Sequence, residues 1–143
     1  MRWGVAALLV SALAGCAEPP AVSPTPYACV LPSEQRMLVA ELFFGRDKDG
    51  SRKVSDAEWS DFLASVVTPN FPDGLTVFDG YGQWRNPATG VIGRSPRVKI
   101  VLVAAKRTPD LGARLAAVID AYKTRFNQQS VGIITRDSCA NFN

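Results

Sequence analysis

The chain contains no histidine at all. That absence excludes a Ser-His-Asp or Cys-His catalytic set and every zinc site built on imidazole. It also lacks any apolar run long enough to span a bilayer: the longest, Trp3 to Ala14, is roughly a dozen residues where about 20 are needed. A strong charge of either sign is missing too. Arg2 is the only charged residue among the first 15, so the rest of the chain keeps 15 basic residues against 13 acidic ones. That balance is too even for an electrostatic nucleic-acid surface, and no nucleic-acid partner is expected.

Cysteine is scarce, with three in 143 residues, and one is spoken for. Leu13-Ala14-Gly15-Cys16 closes an N-terminal segment with a positive start at Arg2, an apolar stretch and small residues before the cut. This resembles a bacterial lipobox, in which Cys16 becomes the acylated first residue after residues 1–15 are removed. The membrane is then a partner through the N-terminal lipid. Ala17 carries no aspartate retention signal, so the expected address is the cell envelope, on the outer membrane and facing the periplasm. Cys29 and Cys139 remain as an even pair in an oxidising compartment and are expected to form a disulfide. A bridge over so long a loop stabilises by roughly 4 to 5 kcal/mol in the chain-entropy model. A free thiol or a two-cysteine metal site lacks a supporting ligand cluster.

Half of the ten prolines, Pro19, Pro20, Pro24, Pro26 and Pro32, fall in residues 16–35. Such a segment favours extended backbone at about 3.1 Å per residue and reads as a tether. Residues 36–143 are left as one domain with a single core.

Within that domain the hydrophobic period changes repeatedly. Met37 to Phe44 is a nearly continuous apolar run of strand length, ended by Gly45. Ser55-Asp56-Ala57-Glu58 is a capping box, with Val54 and Trp59 placed as a hydrophobic staple. The helix it opens carries Trp59, Phe62, Leu63, Val66 and Val67 on one face and is expected to stop at Pro69 and Pro72. Residues 74–85 are β-branched and aromatic enough for a second strand, weakened by two glycines. Residues 85–95 read as a turn, Val98 to Val103 as a third strand, Pro109-Asp110 as the start of a second helix, and Val131 to Thr135 as the last strand.

The order β-α-β-β-α-β predicts an α+β, ferredoxin-like fold: a four-stranded antiparallel sheet with two helices on one face. The most continuously apolar strands are the first and third, which that topology places centrally. Both faces of the first strand are largely apolar, so the face opposite the helices needs cover. A homodimer packed sheet to sheet is the expected cover; the tether or the long hairpin folding back is the alternative.

Glu41-Leu42-Phe43-Phe44-Gly45-Arg46, Val54-Ser55-Asp56-Ala57-Glu58-Trp59 and Gly80-Tyr81-Gly82-Gln83-Trp84-Arg85 resemble the blocks of a family of bacterial secreted proteins and lipoproteins known only as a domain of unknown function. The resemblance covers roughly residues 36 to 139. It implies a small exported α+β domain and no established activity, substrate or cofactor.

Three constellations could carry chemistry. Residues 47–58 place oxygen-bearing side chains at positions 1, 3, 5, 9 and 12 of an EF-hand-like loop. Arg52 stands where the sharp-turn glycine belongs, Lys53 follows it, and Glu58 is needed by the cap, so no metal is expected. On the second strand Asp79, Tyr81 and Gln83 share one side, and with Arg46 or Arg85 they make a candidate small-ligand site. A twisted edge strand with solvated polar groups explains the same pattern. Acid-base catalysis would have to draw on Glu41, Asp79 and Tyr81, where Glu41 in an apolar strand is either a desolvated acid or the cross-strand partner of Lys99. The reading that results is a lipid-anchored envelope protein acting as a noncatalytic binding or structural module, with no cofactor. A cofactor-free enzyme or small-ligand binder using the open sheet face is the alternative.

Overall fold

A computed structural model of the chain describes residues 28–48, 52–85 and 89–142. The signal segment, Cys16 and Asp49 to Ser51 of the EF-hand-like loop lie outside the described residues. Four long strands are present: β1 (Gln35–Gly45), β2 (Thr76–Arg85), β3 (Ile92–Ala105) and β4 (Gly132–Ala140). They form one antiparallel sheet in the order β2-β3-β1-β4. This is the ferredoxin-like arrangement, with the two apolar strands central. A small ribbon pairs Asp47–Lys48 with Arg52–Lys53 and leads into α1.

Helix α1 starts at Asp56–Phe62, and the Ser55 capping box is complete: Ser55 Oγ accepts from the Glu58 amide, and the Glu58 carboxylate accepts from the Ser55 amide at 2.8 Å. Val54 and Trp59 are both buried. The helix does not stop at Pro69. It widens into a π-turn over Leu63–Val67 and runs on through Thr68–Asn70. The wider turn relieves the clash between the proline ring and the carbonyl four residues back. Two side chains bond back within the same segment, Ser65 Oγ donating to Asp61 O at 2.6 Å and Asn70 Nδ2 to Val66 O at 2.8 Å.

Helix α2 (Leu111–Phe126) buries Leu111, Leu115, Val118, Tyr122 and Phe126. It ends at Asn127 in the left-handed region, φ 50°, a conformation asparagine tolerates. Both helices pack on one sheet face, where Phe44 meets Trp59, Phe62 and Tyr122 with ring centroids 4.7 to 6.0 Å apart. Such aromatic pairs contribute about 0.5–1.5 kcal/mol each beyond their burial. Among the described residues no helix is long and apolar enough to cross a membrane.

Two strands are longer than their sequences suggest. β3 begins at Ile92, six residues before Val98, because its first half pairs with Gly82–Arg85 as a two-stranded arm beyond the end of β1. A bulge separates arm from sheet: Gly80 faces Val98 while Gly82 faces Ser95. Pro96 falls in that bulge, where a residue without an amide proton costs no ladder bond. β4 likewise continues past Thr135 to Ala140, so Cys139 lies inside the strand, opposite Arg36. Its bond to Cys29 spans a Cα–Cα distance of 5.6 Å.

Candidate functional site

Strand parity sorts the candidate residues onto two separate surfaces. Residues paired in register share a face, and Phe44, Lys99 and Asp79 lie in one row on the helix side, while Phe43, Ile100 and Phe78 lie in the corresponding row on the open side. Glu41 has the parity of Phe43. It therefore sits on the open face, and Asp79 with Tyr81 on the other, so the sheet itself divides the three residues expected to act together.

Glu41 and Lys99 are divided in the same way. The partner of Glu41 is Arg136 on β4, whose Nη2 donates to Glu41 Oε1 at 2.8 Å. Lys99 instead holds Asp79 on β2 at 2.6 Å. Arg136 stands just past Thr135, where the apolar pattern of the strand ends, so the sequence pattern does not mark it.

On the helix side, the residues next to the start of α1 form a polar ledge. Arg46, directly after β1, is only 4% exposed. Its Nε donates to Val54 O at 2.7 Å, and Nη1 lies 2.7 Å from Asp56 Oδ1. The Arg46 guanidinium beside Asp56 holds that carboxyl below the usual aspartate range. Arg97 approaches Asp56 from β3 at 3.8 Å. Tyr81, Gln83 and Arg85 continue outward along the exposed arm. Arg46 thus works as a brace between β1 and the cap of α1, and Asp79 and Lys99 tie the edge strand to its neighbour.

The two glycines of β2 have a plain steric purpose. A Cβ on Gly80 would stand 3.1 Å from Ile100 Cδ1, and one on Gly82 3.1 Å from Val98 Cγ2. The side chains of β3 lie across the glycines, which fills the space a ligand would need there. In residues 47–58 the Glu58 carboxylate is held by Ser55 and Asp56 by Arg46. Cys29, Glu34 and Cys139 bring their ligand atoms within 4.8 Å of one another, but the bond between the sulfurs leaves neither thiol for a metal.

The open face is the second surface. Met37, Val39, Phe43, Ile100, Leu102, Ala104, Phe78 and Ile134 share it by register, and Phe78 and Ile134 are half-exposed. Glu41 and Arg136 are its charged pair. Among the described residues both helices pack on the opposite side; of the β1 residues on the open face, Val39 is nonetheless buried and Phe43 is half-buried.

The model of one protein family, DUF3574, described as a protein of unknown function, matches residues 39–142. The chain belongs to that family. No curated protein matches this DUF3574 chain. Among solved structures it is similar to a phage SAM lyase in complex with S-methyl-5′-thioadenosine, with a TM-score of 0.60 at 11% identity over 74% of this chain and 90% of that one. The apo lyase gives 0.51 at 11% identity, over 82% and 99% of the two chains. A nitrogen regulatory PII-like protein from Thiomonas intermedia K12 gives 0.44 at 11% identity, over 77% and 98%. At such identity the likeness shared with the lyase is one of fold.

Proposed function

We propose that this protein is a lipid-anchored module of the bacterial cell envelope, held on the outer membrane on its periplasmic side, that works by binding rather than by catalysis. Its binding surface is the open sheet face, and its occupant is a second copy of the chain. The observation that carries this is the run of apolar side chains across all four strands, two central and two edge, with both helices on the other side. Monomeric proteins rarely leave large contiguous apolar patches in water. The one charged pair on that face, Glu41 with Arg136, is self-neutralising, so two copies can meet there without net repulsion in spite of the excess of 15 basic over 13 acidic residues in the mature chain. The candidate acids point the same way, since Glu41 and Asp79 are separated by the sheet and each is bound to a cation.

The test is self-association of the mature chain, followed by light scattering at micromolar concentration. The wild type is expected to be dimeric. Glu41→Arg leaves two cations on the face and Arg136→Glu leaves two anions, so each variant alone is expected to be monomeric and an equimolar mixture to dimerise. A monomeric wild type defeats the homodimer, and a mixture that stays monomeric moves the contact off this face. The alternative, a small-ligand or enzymatic site on the same face, is tested by titrating S-methyl-5′-thioadenosine, the ligand held by the phage lyase. Saturable heat abolished by Glu41→Gln would replace the binding-module reading.

A further inference from the structure

The disulfide gathers both ends of the described chain at one end of the sheet. Cys29 and Cys139 are joined just before β1, with Cys139 opposite Arg36. Three large apolar side chains surround this junction in sequence and stand in water: Val30 is 90% exposed, Leu31 56% and Phe142 74%. Chain length alone keeps all three within about 11 Å of the bridge. Leu31 is fixed rather than loose, because Glu34 N donates to Leu31 O at 3.0 Å and Leu31 N to Glu34 Oε2 at 2.9 Å. Scattered single apolar residues are ordinary on a surface. Three held together by a covalent bond are an arrangement.

The opposite end of the molecule is the β2–β3 arm. Gly45 is level with Val98 and Gly80, and Trp84 lies four residues further out. Counted from Arg36, this places Trp84 about 40 Å from the disulfide along the strand direction.

Resting on the lipid-anchor reading, we propose that the disulfide end is seated on the lipid surface to which the chain is tethered, with Val30, Leu31 and Phe142 entering the interfacial layer and the arm pointing away. The length of chain between the lipid and the bridge supports this occupant. Residues 17–28 separate Cys16 from Cys29, a reach of about 40 Å when extended. That is long enough to let this end settle and short enough to hold it at an effective concentration of about a millimolar. At such a concentration three side chains suffice, where a free protein would dissociate. Lys106 follows directly after β3, whose Ala105 is level with Leu38, and brings a cation to the same end for anionic headgroups. Arg107 beside it is paired with Asp137 at 2.7 Å and adds no net charge.

Tryptophan reports the orientation. After removal of residues 1–15 the chain keeps Trp59, which is buried, and Trp84 on the distal arm. The lipidated full-length protein and its Phe142→Trp variant are reconstituted in phosphatidylethanolamine/phosphatidylglycerol vesicles whose acyl chains carry bromine, a contact quencher. The emission added by the new tryptophan is expected to fall at least twofold, while wild-type emission is unchanged. Adding Val30→Ser and Leu31→Ser is expected to relieve most of that quenching. Unquenched Phe142→Trp emission, quenched wild-type emission, or quenching untouched by the two serines overturns the proposal. Flotation of the vesicles separates this from its premise: protein that fails to float refutes the lipid anchor, whereas protein that floats unquenched refutes only the seating.

Discussion

Arg46 and Tyr122 show how much of this molecule turns on single buried polar groups. Arg46 spends its donors on Val54 O and Asp56, and Tyr122 donates its phenol to Gly45 O at 2.9 Å, so the two grip the chain where it leaves β1. The Asp56 carboxyl is held low by Arg46. Its contribution to stability is present above the unfolded aspartate range and is lost as pH falls through the lower folded value. Asp56→Asn is therefore expected to flatten the loss of stability below about pH 4, as measured by thermal melts across an acid series. Tyr122 behaves in the opposite sense. Burial pushes its phenol up, so the stability it contributes is complete below about pH 10 and is lost as pH rises from there through the folded value. Tyr122→Phe is expected to cost about 1 kcal/mol at neutral pH by removing the hydrogen bond, and to move alkaline unfolding to higher pH. Neither role was legible in the sequence, where Arg46 looked like a ligand group and Tyr122 like one member of an apolar stripe. A side chain's partner across 77 positions of chain leaves no local trace.

At the scale of elements, the features set by neighbours in sequence were the readable ones. The capping box needs only four consecutive residues, so Ser55 and Glu58 announced the start of α1. Ser55→Ala is expected to destabilise by about 1 kcal/mol, read as a lower urea midpoint at unchanged slope, and Ser55→Asp to recover most of it. Where that helix ends could not be read, because a proline normally breaks a helix and only the π-turn over Leu63–Val67 lets this one continue. The outer half of β3 escaped notice for a related reason. Gly93, Ser95 and Pro96 have poor strand propensity, and it is pairing with Gly82–Arg85 that holds the arm in a ladder. The cross-strand partner of Glu41 was misread because register decides it. A pattern of apolar residues marks a strand but not which residue of the next strand stands beside it.

For the whole molecule the Cys29–Cys139 bond is the main covalent constraint, closing a sequence separation of 110 residues. Replacing both cysteines with serine is expected to lower unfolding stability by about 4 kcal/mol, measured in urea under oxidising conditions, and reductant is expected to bring the wild type to the same value. The two helices are tied by packing of Phe62 on α1 against Tyr122 and Phe126 on α2, with Arg125 on α2 paired to Asp61 on α1 at the periphery. The sequence alone determined the element order, the two apolar central strands, the helix cap and the pairing of the last two cysteines. Each follows from local periodicity or from counting, which need no knowledge of distant contacts. Tertiary structure alone decided that Glu41 and Asp79 are on opposite faces, that Arg136 holds Glu41, and that Arg46 is a brace. Those facts depend on strand register and chain crossing, and a shift of one residue in either would turn every side chain to the other face.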